Sequence, residues 1–221
     1  MTRLNIKQDL NALNKLVAAE NRNIFKANNL YVINIMGSPG AGKTTLLENI
    51  LPTLGRHLRT AVIEGDLATE NDALRIEKTG VTALQINTDG GCHLDAKMIE
   101  NQLQQLNLAA LDLLIIENVG NLICPAAFDL GEDLRMVILS VTEGEDKPVK
   151  YPTAFLNADT AVVTKTDLLP YVDVKVEVMK GYIAEINPKV VVFETGKKDG
   201  LFEAGNLVEF VLEQVGKKQK K

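Results

Sequence analysis

The stretch "YVINIMGSPGAGKTT" (31–45) constrains this chain more than any other segment. An apolar run from Tyr31 to Gly37 leads directly into Gly40, Gly42 and then Lys43-Thr44-Thr45. Residues 37–44 satisfy the G-x-x-x-x-G-K-[ST] pattern, which works only between a strand and a helix. The glycines let the backbone turn tightly and aim its N–H groups at phosphate oxygens, and the helix N-terminus adds its positive end. The candidate nucleotide-binding loop is therefore Gly37, Ser38, Pro39, Gly40, Ala41, Gly42, Lys43, Thr44 and Thr45. Lys43 is expected on the β- and γ-phosphates, and the Thr44 hydroxyl on Mg²⁺.

A strand feeding such a loop needs parallel neighbours. Similar β-branched runs follow at 59–66, 81–87, 111–120, 135–144, 160–167 and 190–196, most of them separated by helix-like stretches. Short, nearly continuous apolar runs are how strands buried on both faces read. The expected fold class is α/β, with a largely parallel sheet flanked by helices and preceded by an N-terminal helix. With 221 residues, 46% hydrophobic and 24% charged, the chain can bury a core without disulfides. Residues 1–30 are assigned to the N-terminal amphipathic helix, 31–216 to the sheet domain and 217–221 to a basic tail. Within the helix, read over 3–27, Ile6, Leu10, Leu13 and Val17 form one apolar stripe. That stripe is expected to pack on the sheet domain or to meet a dimer mate or partner.

A net charge of −5 argues against broad nucleic-acid binding. The opening residues lack the apolar core of a signal peptide, and no run reaches membrane-spanning length. Two cysteines fit a reducing compartment, so a cytoplasmic location is expected.

The run at 160–167 ends in Thr164-Lys165-Thr166-Asp167, which resembles the N-K-x-D guanine motif with threonine in place of asparagine. Asp167 would accept two hydrogen bonds from the guanine edge, and the Lys165 stem would lie along the base. Adenine offers no matching donor pair. Thr195 and Gly196 are candidates for the last base-side loop. Asp66 closes the run at 59–66, and Glu117 stands three residues before Gly120 in a D/E-x-x-G arrangement. Carboxylates at the carboxyl ends of parallel strands face the ligand crevice. Lys43, Asp66 and Glu117 are the candidate catalytic groups, with Thr44, Asp66 and Glu117 as candidate Mg²⁺ ligands. Asp72 is a further acidic candidate. No arginine is obviously placed to meet transition-state charge, though Arg75 lies nearby, and slow basal hydrolysis is expected.

Cys92 and His93 stand together in "INTDGGCHLDAK", and Cys124 follows the Glu117 strand in "ENVGNLICPAA". If both strands are parallel, all three residues leave the same edge of the sheet. Thiolate and imidazole favour Zn²⁺ or Ni²⁺ over oxygen-seeking ions. One chain supplies Cys92, His93 and Cys124, and a two-fold contact would bring a second set alongside. His57 has no comparable company and reads as an exposed residue near a helix end.

In order along the chain, "GSPGAGKTT", "EGDLATENDA", "NTDGGCHLDA", "IIENVGNLICPA" and "EGEDKPVKYP" resemble the nickel-incorporation GTPases of hydrogenase maturation, the HypB family. The resemblance implies a P-loop NTPase fold, GTP/GDP and Mg²⁺ as cofactors, GTP-promoted homodimerisation, and Ni²⁺ or Zn²⁺ held at the dimer interface by Cys92, His93 and Cys124. It also implies a nickel-delivery partner protein and the large-subunit precursor of [NiFe] hydrogenase as recipient. Some members carry a Cys-rich motif or a His-rich tract near the N-terminus. Neither occurs before Ile33, so high-affinity nickel storage is not expected of this sequence. Lys147 or Lys150 offers a charge that could reach a nucleotide across the dimer.

Other readings stay open at this level. A urease-type nickel-maturation GTPase shares the phosphate loop, but its Cys-Pro-His signature is absent here. A nucleotide-regulated dimer scaffold would hold structural zinc without transferring it. A thiol redox switch would need Cys92 and Cys124 close enough to bridge.

Overall fold

The computed structural model describes residues 6–66 and 71–220. Seven parallel strands form one sheet: β1 (Tyr31–Gly37), β2 (Thr60–Asp66), β3 (Thr82–Asn87), β4 (Leu113–Glu117), β5 (Leu134–Ser140), β6 (Thr160–Thr164) and β7 (Val191–Glu194). Their order is β3-β2-β4-β1-β5-β6-β7. The chain leaves β1 toward one edge and later returns to fill β5 on its other side. That reversal opens a crevice at the carboxyl end of β1, where ligands of open α/β sheets bind. A short antiparallel hairpin, β8 (Gly196–Lys198) and β9 (Leu201–Glu203), follows the last sheet strand.

Side chains alternate between two cores. On one face Ile33, Ile35, Val62, Ile115 and Ile138 pack with α2 (Lys43–Leu54), α3 (Asn71–Glu77) and α8 (Gly205–Gln219) through Leu47, Leu51, Ile76, Val211 and Val215. On the other face Val32, Ile63 and Ile116 meet Phe25 of α1 (Ile6–Ala27) and Ile99 and Leu103 of α4 (Ala96–Leu103). Further along that face, Val137, Leu139 and Val163 meet Phe155, Met179 and Ile183. These last come from α6 (Pro152–Leu156) and α7 (Val176–Ile186), which follow the single turn α5 (Lys147–Lys150). Burial of both faces explains why these strands read as unbroken apolar runs.

Several ends differ from the sequence reading, each for a local reason. The run at 135–144 stops being a strand at Ser140, because Ser140 and Glu143 form a capping box that turns 141–143 into a 3₁₀ turn. The run at 111–120 keeps only Leu113–Glu117 as strand, because the Asn118 side chain takes the Val119 N–H for itself.

The N-terminal helix docks on the sheet domain by a face other than its apolar stripe, which goes against the first of the two expectations for that stripe. Leu13 is 60% exposed and Val17 half-buried, and the side chains of Ile6 and Leu10 lie outside the described residues. The buried face is Asn14, Ala18, Asn21 and Phe25. Asn21 donates to the carbonyls of Ala96 and Leu130, and Asn14 donates to the Asp129 carbonyl while accepting from the Ala96 N–H. Gly131, at φ 93°, lies so near α1 that a Cβ there would stand 2.7 Å from the Ala18 carbonyl oxygen. Small residues and amides, not leucines, set this contact.

Candidate functional site

The phosphate loop takes its shape from left-handed backbone at Gly40 (φ 74°) and Gly42 (φ 96°), a region that carries a steric penalty for any side chain. Gly42 caps α2, so the helix opens at Lys43 with its N–H groups free to meet an anion. Lys43 and Thr44 are buried at the floor of the crevice. The Lys43 ammonium lies 3.5 Å from the Gly37 carbonyl and 4.0 Å from a Glu117 oxygen. The Thr44 hydroxyl donates to Glu117 Oε1 at 2.8 Å. The cavity they line holds about 390 Å³, and Asp66, Asp72, Arg75 and Gly120 line it as well. Gly120 packs directly on Pro39, and a Cβ there would stand 3.0 Å from the proline ring. The strand-end carboxylates predicted for this crevice thus stand around one cavity with the loop. Arg75 is committed elsewhere: its guanidinium binds Glu48 and Asp72, and donates to the Thr45 hydroxyl at 3.2 Å.

Glu64 joins this group unannounced. It is paired in register with Glu117 on the neighbouring strand and is equally buried. Burial, then the Glu117 carboxylate, pushes the Glu64 carboxyl far above its ordinary range. The two carboxyls stand side by side across the strand pair, which disfavours charge on both. Burial raises Glu117 too, against the opposing pull of the Lys43 ammonium and the Thr44 hydroxyl. A period of two on a strand places Glu64 on the same side as Asp66, and that spacing was the available signal.

At the end of β6, Thr164 donates its hydroxyl to the Ala41 carbonyl at 2.6 Å, and the Lys165 ammonium donates to the Gly40 carbonyl at 2.7 Å. Threonine therefore ties the strand end to the phosphate loop even without an asparagine. Lys165 adopts φ 59°, and Asp167 Oδ1 accepts from the Lys197 N–H at 3.0 Å. Gly196 sits against Asp167, where a Cβ would be 2.9 Å from that oxygen. Thr195 is buried, and its carbonyl accepts from the Thr166 N–H.

Cys92, His93 and Cys124 come together, their ligand atoms all within 4.8 Å of one another. Cys92 Sγ lies 3.6 Å from His93 Nδ1, and the His93 ring stacks on Phe128 at 3.9 Å. The Cys124 thiol beside it, and then burial, raises the Cys92 thiol. Burial lowers His93, against the pull of Asp95, and favours the neutral imidazole that ligates metal. Asp95 caps α4 by accepting from the Met98 N–H, which is why the chain turns into helix just past the ligands.

Two asparagines that sequence reasoning passed over join this cluster to the phosphate site. Asn118, buried next to Glu117, accepts from the Leu94 N–H at 3.0 Å. Asn121 donates to the Cys92 carbonyl at 3.2 Å. Leu94 also rests on Gly65, where a Cβ would stand 2.8 Å from it. The ligand loop is thus fastened to the ends of both β2 and β4. Lys147 and Lys150 are held within their own segment, by Glu143 and Asp146 respectively, with Lys147 also over the Tyr151 ring. His57 is exposed just past α2, as expected.

Comparison with known proteins agrees with this architecture. The CobW/HypB/UreG nucleotide-binding domain matches residues 31–194. A hydrogenase maturation factor HypB of Azotobacter chroococcum is 53% identical over 195 residues, covering 88% of this chain and 64% of that relative, so the chain spans under two thirds of its length. A hydrogenase/urease maturation factor HypB of Helicobacter pylori is 41% identical over 200 residues, covering 89% of this chain and 82% of that relative. Among solved structures, Helicobacter pylori HypB in complex with nickel superposes with a TM-score of 0.85 at 40% identity, covering 92% of this chain and 95% of that one. A signal recognition particle 54 kDa protein from Aeropyrum pernix, at 15% identity and a TM-score of 0.59, shares the fold. No described helix is long and apolar enough to cross a membrane. With the family domain matched across most of the chain and HypB relatives aligned along nearly all of it, this chain belongs to the CobW/HypB/UreG family, on its HypB branch.

Proposed function

We propose that this chain is a GTP-hydrolysing switch that inserts nickel during maturation of [NiFe] hydrogenase. One observation carries the reading: Asn118 and Asn121 fasten the Cys92–His93 loop to the segment that runs from Glu117 to Cys124. A nucleotide that reorganises the Glu117 segment then changes how Cys92, His93 and Cys124 hold their metal cargo. Metal can be passed on only if its affinity differs between nucleotide states.

The residues of the crevice divide the work. The loop Gly37–Thr45 binds the phosphates, with Lys43 neutralising charge on the β- and γ-groups. Lys165 and Asp167 hold the base, and Asp167 selects guanine. Thr44, Asp66 and Glu117 fit Mg²⁺, because a hydroxyl and two carboxylates line one cavity and the Thr44 hydroxyl already lies 2.8 Å from Glu117 Oε1. Mg²⁺ held by these residues would neutralise phosphate charge. Asp66 or Glu117 orients the attacking water. Arg75 is tied to two carboxylates, which is consistent with slow basal turnover. Ni²⁺ or Zn²⁺ is cargo here, and a second copy of the chain completes its ligand set. The nickel-delivery partner and the hydrogenase large-subunit precursor stand on either side of the transfer.

The test is metal titration of the unaltered chain and of Cys92→Ala, each with GDP and with a non-hydrolysable GTP analogue. The expected result is loss of Ni²⁺ and Zn²⁺ binding in the variant and unequal affinities in the two nucleotide states. Equal affinities would leave a structural-zinc scaffold as the better account, and undiminished binding in Cys92→Ala would move the site elsewhere.

A further inference from the structure

The hairpin β8–β9 borders a second cavity, of about 200 Å³, next to the phosphate crevice. The two cavities share Gly42, Thr45 and Lys165 as walls, so a ligand with its phosphates in the first continues past Lys165 into the second. The second is closed by Asp167, Leu168, Gly196, Lys197 and Phe202. One carboxylate and one aromatic ring suit a flat heterocycle with N–H donors on one edge. Phe202 stands opposite Lys197 in the hairpin register, and it is the Lys197 N–H that holds Asp167 Oδ1. Gly196 lets this hairpin settle directly on Asp167. One short element therefore both orients the carboxylate and delivers the ring.

We propose that Phe202 packs against the face of the guanine base, making β8–β9 a base-binding element of the nucleotide site. The proposal rests on the guanine-nucleotide reading above and adds a residue to it. Asp167 reads which base is present, whereas Phe202 reads only that a base is present, because every base offers a π-face. Its contribution is therefore expected for guanine and hypoxanthine nucleotides alike and for no ligand consisting of phosphates alone.

Calorimetric titration with GDP, IDP and pyrophosphate, all with Mg²⁺, tests this on the unaltered chain, Phe202→Ala and Phe202→Leu. Loss of the ring is expected to weaken GDP and IDP about tenfold, leaving pyrophosphate unchanged. The leucine variant keeps apolar contact with the core beside the hairpin and guards against collapse. Because the chain contains no tryptophan, Phe202→Trp introduces a single indole whose emission should be quenched by GDP and not by pyrophosphate. Unaltered GDP affinity in both truncations, or an indole indifferent to saturating GDP, overturns the proposal. Pyrophosphate affinity falling as far as GDP affinity overturns it too, since the defect then lies in the phosphate loop. Failure of the unaltered chain to bind GDP overturns the nucleotide reading itself.

Discussion

Thr164 shows how much one hydroxyl can settle. In the sequence it is a departure from the asparagine of the guanine motif, whereas in the fold its hydroxyl reaches the Ala41 carbonyl of the phosphate loop at 2.6 Å. Thr164→Val keeps the shape and removes the bond, and a buried neutral hydrogen bond is worth about 1 kcal/mol. GDP affinity is therefore expected to fall about fivefold in Thr164→Val and to return in Thr164→Asn, as read by calorimetry. An unchanged affinity would mean that Lys165 alone holds the loop. Asp112 supplies a pH-dependent counterpart at the far end of the sheet. The Arg59 guanidinium hydrogen-bonded to it, helped by the Arg59 N–H, holds the Asp112 carboxyl down to about 2. A carboxyl depressed on folding contributes stability above its unfolded value of about 4, and that contribution is lost as pH falls toward 2. Urea midpoints measured from pH 6 to 2.5 should fall less steeply in Asp112→Asn than in the unaltered chain.

Among the elements, α1 is where pattern and packing part company. Its apolar stripe was legible, yet Leu13 of that stripe stays 60% exposed while Asn14, Ala18 and Asn21 face the domain. Periodicity identifies a helix and its apolar side, but it carries no record of carbonyls at Ala96, Asp129 and Leu130 waiting for donors. Those carbonyls belong to the first turn of α4 and the loop before β5, far away in sequence. Asn21→Ala removes the donor that two buried carbonyls share and should cost about 1–3 kcal/mol in denaturant unfolding. Leu13→Gln, on the exposed face, should change stability by less than about 0.5 kcal/mol. The strands behave oppositely. All seven sheet runs were visible, because burial on both faces writes itself into composition residue by residue. Their ends were not, where Ser140 and Asn118 redirect the backbone by side-chain hydrogen bonds.

Across the whole molecule, the phosphate crevice and the Cys/His cluster are joined by Asn118, which accepts from Leu94 and donates to Asn34 beneath the sheet end. Replacing it by alanine leaves every candidate ligand of both sites in place. The expected outcome for Asn118→Ala is retained binding of GDP and of Ni²⁺, with the difference in Ni²⁺ affinity between GDP and GTP-analogue states reduced at least severalfold. A full difference in the variant would show that coupling runs by another path. The phosphate loop, the parallel sheet and the three metal-ligand candidates were determined by sequence alone. Glycine φ freedom, apolar runs and soft ligand chemistry are properties of short segments. Tertiary structure alone decided that Glu64 stands buried beside Glu117, that Thr164 ties its strand end to the phosphate loop, and that Cys92, His93 and Cys124 converge within 4.8 Å. Each of these depends on which strands lie side by side. Strand order is fixed by the packing of segments dozens of residues apart, and no local pattern encodes it.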